Sequence, residues 1–129
     1  VSDPLAVAQA NAADVLILKA QPLGGISSAL AISKEAGLPV TISSALETSV
    51  GISMGLHLAA ALEVESFDAG LGTVAMFEDD VCDEPLLPVD GRIKVQRVMP
   101  NEKKLSALTA DDDRINWWKQ RLERCYRLL

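Results

Sequence analysis

The stretch that decides the fold is ADVLILKAQPLGG, Ala13 to Gly25. Val15, Leu16, Ile17 and Leu18 form a short all-apolar run that reads as a strand buried on both faces, and Pro22 with Gly24 and Gly25 marks the turn behind it. Between run and turn stands Lys19. An ammonium is costly to desolvate without a partner, so this residue either snorkels to water or does chemistry. After the turn comes ISSALAISKEA, Ile26 to Ala36, an alanine-rich helical stretch closed by Gly37, where a left-handed residue ends a helix. Strand, turn and helix in this order are the unit of a parallel sheet.

Working outward, the unit recurs. Leu38 and Pro39 open a second apolar strand, Val40 to Ile42, which ends in Ser43 and Ser44. Ala45, Leu46 and Glu47 then lead into Ser49 to Leu62, a helix with small or apolar residues nearly all round, in which Gly51 and Gly55 allow close approach to a sheet. Ser66 to Leu71 predicts a third short strand, ending in the turn Gly70 to Thr73. Upstream, Asp3 and Pro4 read as an N-cap and first helical residue, with the helix running to about Ala13. The expected class is α/β, with a parallel sheet that is doubly wound or part of a barrel. In either, the C-terminal ends of the strands form the active face, and Lys19, Ser43, Ser44 and the Gly70 turn all fall there.

Downstream the character changes. EDDVCDEPLLP, Glu78 to Pro88, has five carboxylates but lacks the alternating order of a calcium loop, so it reads as a solvated surface loop. Val89 to Arg92 predicts a hairpin turn, with Ile93 to Val98 as an edge strand. Asp111, Asp112 and Asp113 stand at the positive end of a final helix, RINWWKQRLERCYRLL. Its stripe Ile115, Trp118, Leu122, Cys125 and Leu129 is expected to be buried against the rest of its own protein, in preference to a membrane or a partner helix, leaving Lys119, Arg121 and Arg124 exposed.

Composition sets the bounds. A chain of 129 residues suits one domain, and its 49% hydrophobic content contains no run near the ~18 residues of a membrane span. The net charge of −6 argues against nucleic acid as a partner and fits a soluble cytoplasmic enzyme. Cys82 and Cys125 match no metal or redox spacing and are expected to be free thiols. The N-terminus has no signal-peptide pattern, and the lack of an initiator Met suggests a chain that starts partway through something longer. PLGG is neither a P-loop nor a dinucleotide fingerprint, Ser43 and Ser44 lack the nucleophile elbow, and His57 lies inside a helix as a packed or surface residue. What remains is a rim for a small anionic molecule: Lys19 as general acid or base, hydroxyls of Ser43 and Ser44, and the backbone N–H groups of the Gly70 turn.

The run VLILKAQPLGGISSALAISKEAGLPVTISSALETSVGISMGLHLAAAL followed by AGLGT resembles strands six to eight of the o-succinylbenzoate synthases of the enolase superfamily, and the tail INWWKQRLERCYRLL resembles the closing helix of their actinobacterial members. The resemblance spans essentially the whole chain. It implies the C-terminal part of a (β/α)8-type barrel over residues 1–77, with 78–129 an acidic loop, strand and amphipathic helix returning toward a capping domain. It further implies a lyase that dehydrates 2-succinyl-6-hydroxy-2,4-cyclohexadiene-1-carboxylate in menaquinone biosynthesis. Lys19 matches the sixth-strand lysine, an acid/base or ring-facing cation opposite a second-strand partner that removes the α-proton. Ser43 and Ser44 match the seventh-strand substrate position, Gly70 the eighth-strand turn, and Glu47 stands behind them. Mg2+ is implied as cofactor, its carboxylates and the other lysine lying on strands absent here, so no metal ligand is assigned in this chain. The expected partner is then the missing N-terminal part of the same enzyme, or a second copy in a homo-oligomer. Two alternatives stay open: an N-acylamino-acid racemase or dipeptide epimerase using the same lysine pair, and a non-catalytic assembly module whose sheet edges another chain covers.

Overall fold

A computed structural model describes residues 3–62 and 67–128. Helix α1 (Pro4–Gln9) starts where expected, the Asp3 carboxylate accepting the N–H groups of Leu5 and Ala6. It is shorter than the apolar spacing suggests, because the chain turns at Asn11 with a positive φ of 50°. Strand β1 (Leu16–Leu18) follows, then the turn in which Gly24 and Gly25 take φ of 84° and 115°, a conformation that a Cβ would strain. Helix α2 (Ile26–Ala36) ends at Gly37 in the left-handed region. Strand β2 (Val40–Ile42) leads to α3 (Ser49–Ala60), and a 3-10 turn covers Gly72–Met76.

β1 and β2 pair in parallel, Leu16 opposite Val40 and Leu18 opposite Ile42. The expected third strand does not form among the described residues; a single parallel bridge between Ser43 and Gly70 stands in its place, in which Gly70 N–H donates to Ile42 and Ser44 N–H to Gly70. Ser66 lies outside the described residues. Helix α3 packs on β2 and α2, and α1 on α2. Between them lie Leu18, Ile42, Ile52, Leu58 and Leu71, all 3% exposed or less; burying each full side chain contributes about 1.5–3 kcal/mol. Gly55 permits this layer, since a Cβ there would stand 2.7 Å from Leu71 Cδ2.

Four expectations need correction. β1 is buried on one face only: Ile17 is 65% exposed, because three strand segments supply no opposite wall of the kind that fills a closed barrel. Ile93 to Val98 form no strand; Val89 and Arg92 close a tight turn through Asp90 and Gly91, both at positive φ, but no ladder continues beyond it. The acidic loop is not wholly solvated. Asp80 is 2% exposed and accepts the N–H groups of Ser49 (2.8 Å) and Cys82 (3.1 Å), while the buried Ser49 hydroxyl accepts Leu86 N–H at 2.8 Å. Thr48, the N-cap of α3, makes no side-chain cap bond, so Asp80 satisfies the helix start from 31 residues away. Finally, α5 (Asp112–Tyr126), preceded by a short α4 (Glu102–Ala107), buries none of its residues. Trp118 and Leu122 are 56% and 72% exposed and Cys125 is exposed, so no described element covers this part of the stripe expected to be buried; Leu129 lies outside the described residues. Arg114 and Arg121 instead lie 5.7 and 5.6 Å from the Trp117 ring centre as cation–π partners. No helix among the described residues is long and apolar enough to cross a membrane.

Candidate active site

The parallel register brings three strand ends to one place. Lys19 is the residue after β1, Ser43 the residue after β2, and Gly70 bridges Ser43 from the third segment. Lys19 is half-buried, and its ammonium donates to Ser43 Oγ at 3.2 Å and to the Ser44 carbonyl. Both partners are neutral. Among the described residues the ion pair is Lys104–Asp79, elsewhere in the chain, and Lys19 has no carboxylate within salt-bridge distance.

Ser43 is half-buried, and its hydroxyl donates weakly to the Gly70 carbonyl at 3.4 Å. Gly70 is close enough that a Cβ there would stand 3.2 Å from Ser43 Oγ, so a side chain would push the serine away from its position. Ser44 behaves differently. It is 4% exposed, and its hydroxyl is paired with Thr73 Oγ1 at 2.7 Å, so what it presents to Lys19 is its backbone carbonyl. Thr73, the last residue of the AGLGT run, is thus the residue that sequence reading left without a role. Glu47 is also near, its Oε2 accepting the Ala45 N–H at 3.1 Å. His57 is remote in function: its Nδ1 lies 2.7 Å from the Ser53 carbonyl of its own helix.

Three of the five carboxylates of the acidic loop, Asp79, Asp80 and Asp83, are engaged away from Lys19. The Asp80 N–H, and after it the Lys104 ammonium, hold Asp79 below the usual carboxylate range. For Asp80, burial pushes upward, but the bonds from Ser49, Cys82 and Val81 together outweigh it and the net shift is downward. Asp83 accepts from the Asn101 amide at 2.9–3.0 Å. Among the described residues no three His, Cys, Asp or Glu side chains converge as a cation site, and the Lys19 group, with one ammonium, hydroxyls and a carbonyl, is not the donor set Mg2+ prefers. Cys82 is a buried free thiol, pushed up by burial and by the Asp80 charge; Cys125 is free and exposed.

A parallel sheet backed by helices, with an ammonium and hydroxyls gathered at its strand ends, is the arrangement found at the C-terminal face of β/α-barrels. The match to known proteins is more specific. Residues 2–100 fit the enolase C-terminal domain-like family, and the chain belongs to it. It is 50% identical over 127 residues to an o-succinylbenzoate synthase from Mycobacterium marinum, a match covering 98% of this chain and 38% of that protein. Its fold superimposes on muconate lactonizing enzyme from Pseudomonas fluorescens at a TM-score of 0.72 and 25% identity, over 80% of this chain and 30% of the other. A probable mandelate racemase from Alicyclobacillus acidocaldarius gives 0.67 at 33% identity, over 81% and 30%. The chain therefore spans well under half the length of the curated relatives it matches.

Proposed function

We propose that this chain supplies the strand six-to-eight part of an o-succinylbenzoate synthase, a lyase that dehydrates 2-succinyl-6-hydroxy-2,4-cyclohexadiene-1-carboxylate to 2-succinylbenzoate in menaquinone synthesis. The observation that carries the reading is the Lys19 ammonium, held at the common end of three parallel segments by the neutral oxygens of Ser43 and Ser44. Identity of 50% to a protein named for that activity supports the choice of reaction.

In this reading a proton leaves the ring carbon that bears the carboxylate, and the hydroxyl on the neighbouring carbon departs as water once it has taken up a proton. The ring becomes aromatic. The elimination in this reading is syn, so proton and hydroxyl leave from one face: a lysine of the second strand takes the proton there and can pass it to the departing hydroxyl, while Lys19 on the opposite side stands against the ring as a cation and becomes an acid/base only in the racemase alternative. Ser43 and the turn after Gly70 face the substrate's carboxylates, where the serine hydroxyl and the N–H groups of Leu71 and Gly72 satisfy negative charge, that of Gly70 itself being bonded to Ile42. The Mg2+ of such an enzyme belongs on carboxylates outside this chain, and no side chain described here holds it. Residues 78–129 then form the return toward a capping domain, with the exposed stripe of α5 as its contact.

The test is complementation. The part of the Mycobacterium marinum relative outside the match is co-expressed with this chain, and the pair is assayed for formation of 2-succinylbenzoate. The reading expects turnover from the pair and none from either piece. A racemase reading, in which the same lysine returns a proton, expects racemisation of N-acylamino acids without dehydration, and that outcome replaces the present one.

A further inference from the structure

The Ser44–Ala45 peptide unit is bonded at both poles. Its carbonyl accepts from the Lys19 ammonium, and its N–H donates to Glu47 Oε2 at 3.1 Å. A positive group on the carbonyl side and a carboxylate on the N–H side both align with the dipole of one amide, and each bond strengthens the other. Because a peptide is planar and trans, whatever fixes the N–H also fixes the direction of the carbonyl. The bond from Ala45 N–H to Glu47 therefore constrains the direction of the oxygen that holds Lys19.

Two further features show that this arrangement is built and not incidental. Glu47 reaches back to Ala45 across Leu46, which adopts φ of +65°, a left-handed conformation that a leucine takes only under compulsion. Leu46 is 54% exposed, so core burial does not compel it. The stem of Glu47 also lies against the first turn of α3 at Gly51, where a Cβ would stand 2.5 Å from Glu47 Cβ and 2.8 Å from its Cγ. Both neighbours of the glutamate thus give way to its placement. The far side of the loop is pinned independently by Ser44 Oγ on Thr73.

We propose that Glu47 is a positioning residue for Lys19, acting through the Ser44–Ala45 peptide, and that Gly51 is the space that admits it. Only the kinetic consequence rests on the lyase reading; the hydrogen-bonded relay stands on geometry in this chain.

The experiment is NMR of the full 129-residue chain labelled with 15N, following the Ala45 amide proton and hydrogen exchange of the Lys19 ammonium, with the exposed Lys34 as internal control. Glu47→Ala is expected to move the Ala45 amide proton upfield and to speed Lys19 exchange by about fivefold, the factor that one hydrogen bond carries. Glu47→Gln keeps an acceptor oxygen and is expected to stay near wild type. Gly51→Ala is expected to reproduce the alanine result at Glu47, and if it fails to fold, the two Glu47 variants decide alone. Unchanged Lys19 exchange in Glu47→Ala, or equal loss in Glu47→Gln and Glu47→Ala, overturns the proposal. In the complemented enzyme, Glu47→Ala is expected to lower kcat with little change in KM, and Glu47→Gln to restore it. If wild-type complementation yields no dehydration, the lyase reading falls, while the exchange result still decides the relay.

Discussion

Replacing Asp80 by Ala should destabilise the chain far more than its place in an acidic loop suggests. The side chain is 2% exposed, and its two oxygens satisfy the N–H groups of Ser49 and Cys82, both of which are themselves buried. Truncation leaves two buried donors without partners, each costing about 1–3 kcal/mol, and removes a carboxylate from the positive end of α3, worth roughly 0.3–1 kcal/mol. Some relaxation is expected, so the loss should be about 3 kcal/mol at pH 7; Asp80→Asn, which keeps one acceptor, should lose about half. The pH dependence follows from the sign of the shift. The folded pKa of Asp80 lies below its unfolded value, so its ionisation stabilises the fold above the unfolded pKa of about 3.9 and this contribution disappears as pH falls through the folded value. The gap between wild type and Asp80→Ala should therefore narrow below about pH 4. Urea unfolding followed by circular dichroism at pH 7 and pH 3 measures it. A loss under about 0.5 kcal/mol at pH 7, the range of ordinary surface substitutions, would refute the capping role.

Further outcomes follow from the same geometry. Gly70→Ala places a methyl 3.2 Å from Ser43 Oγ, so the complemented enzyme should lose turnover while the urea midpoint of the chain moves little; unaltered kinetics would separate Gly70 from the site. Leu46→Gly relieves a left-handed leucine and should stabilise the chain by up to about 1 kcal/mol, less the added freedom of the unfolded state, as read from the urea midpoint. Ending the chain after Leu108 removes α5, which buries nothing, and should change stability by less than about 0.5 kcal/mol; a larger loss would reveal support that the exposed stripe does not account for.

The first half of the chain was legible because its signals are local. Apolar runs end at Lys19 and at Ser43, a glycine pair turns the chain, and Gly37 stops α2 at the position its left-handed φ demands. Those signals also placed Lys19, Ser43 and Gly70 on one edge, since parallel pairing in register carries consecutive strand ends together. The second half was less legible, for identifiable reasons. Asp80 caps a helix 31 residues earlier, and nothing in EDDVCDE distinguishes it from its solvated neighbours. The direction of the Ser44 hydroxyl depends on Thr73, 29 residues on. Alternation in Ile93 to Val98 describes what a strand needs but not whether a partner stands beside it. The amphipathic pattern of α5 likewise identifies the apolar stripe without naming what covers it. The short α4 did carry a local sign, Asn101 accepting from the N–H groups of Lys103 and Lys104, but six residues are too few for periodicity to show.

If Lys19 is a working group of a lyase, the dehydration rate of the complemented enzyme carrying Lys19→Ala reveals it most directly, with folding of the variant checked by circular dichroism. Removing a ring-facing cation, worth about 2 kcal/mol or more when desolvated, should cost at least about thirtyfold in kcat with the fold intact. Turnover at the wild-type rate in that variant would contradict the assignment.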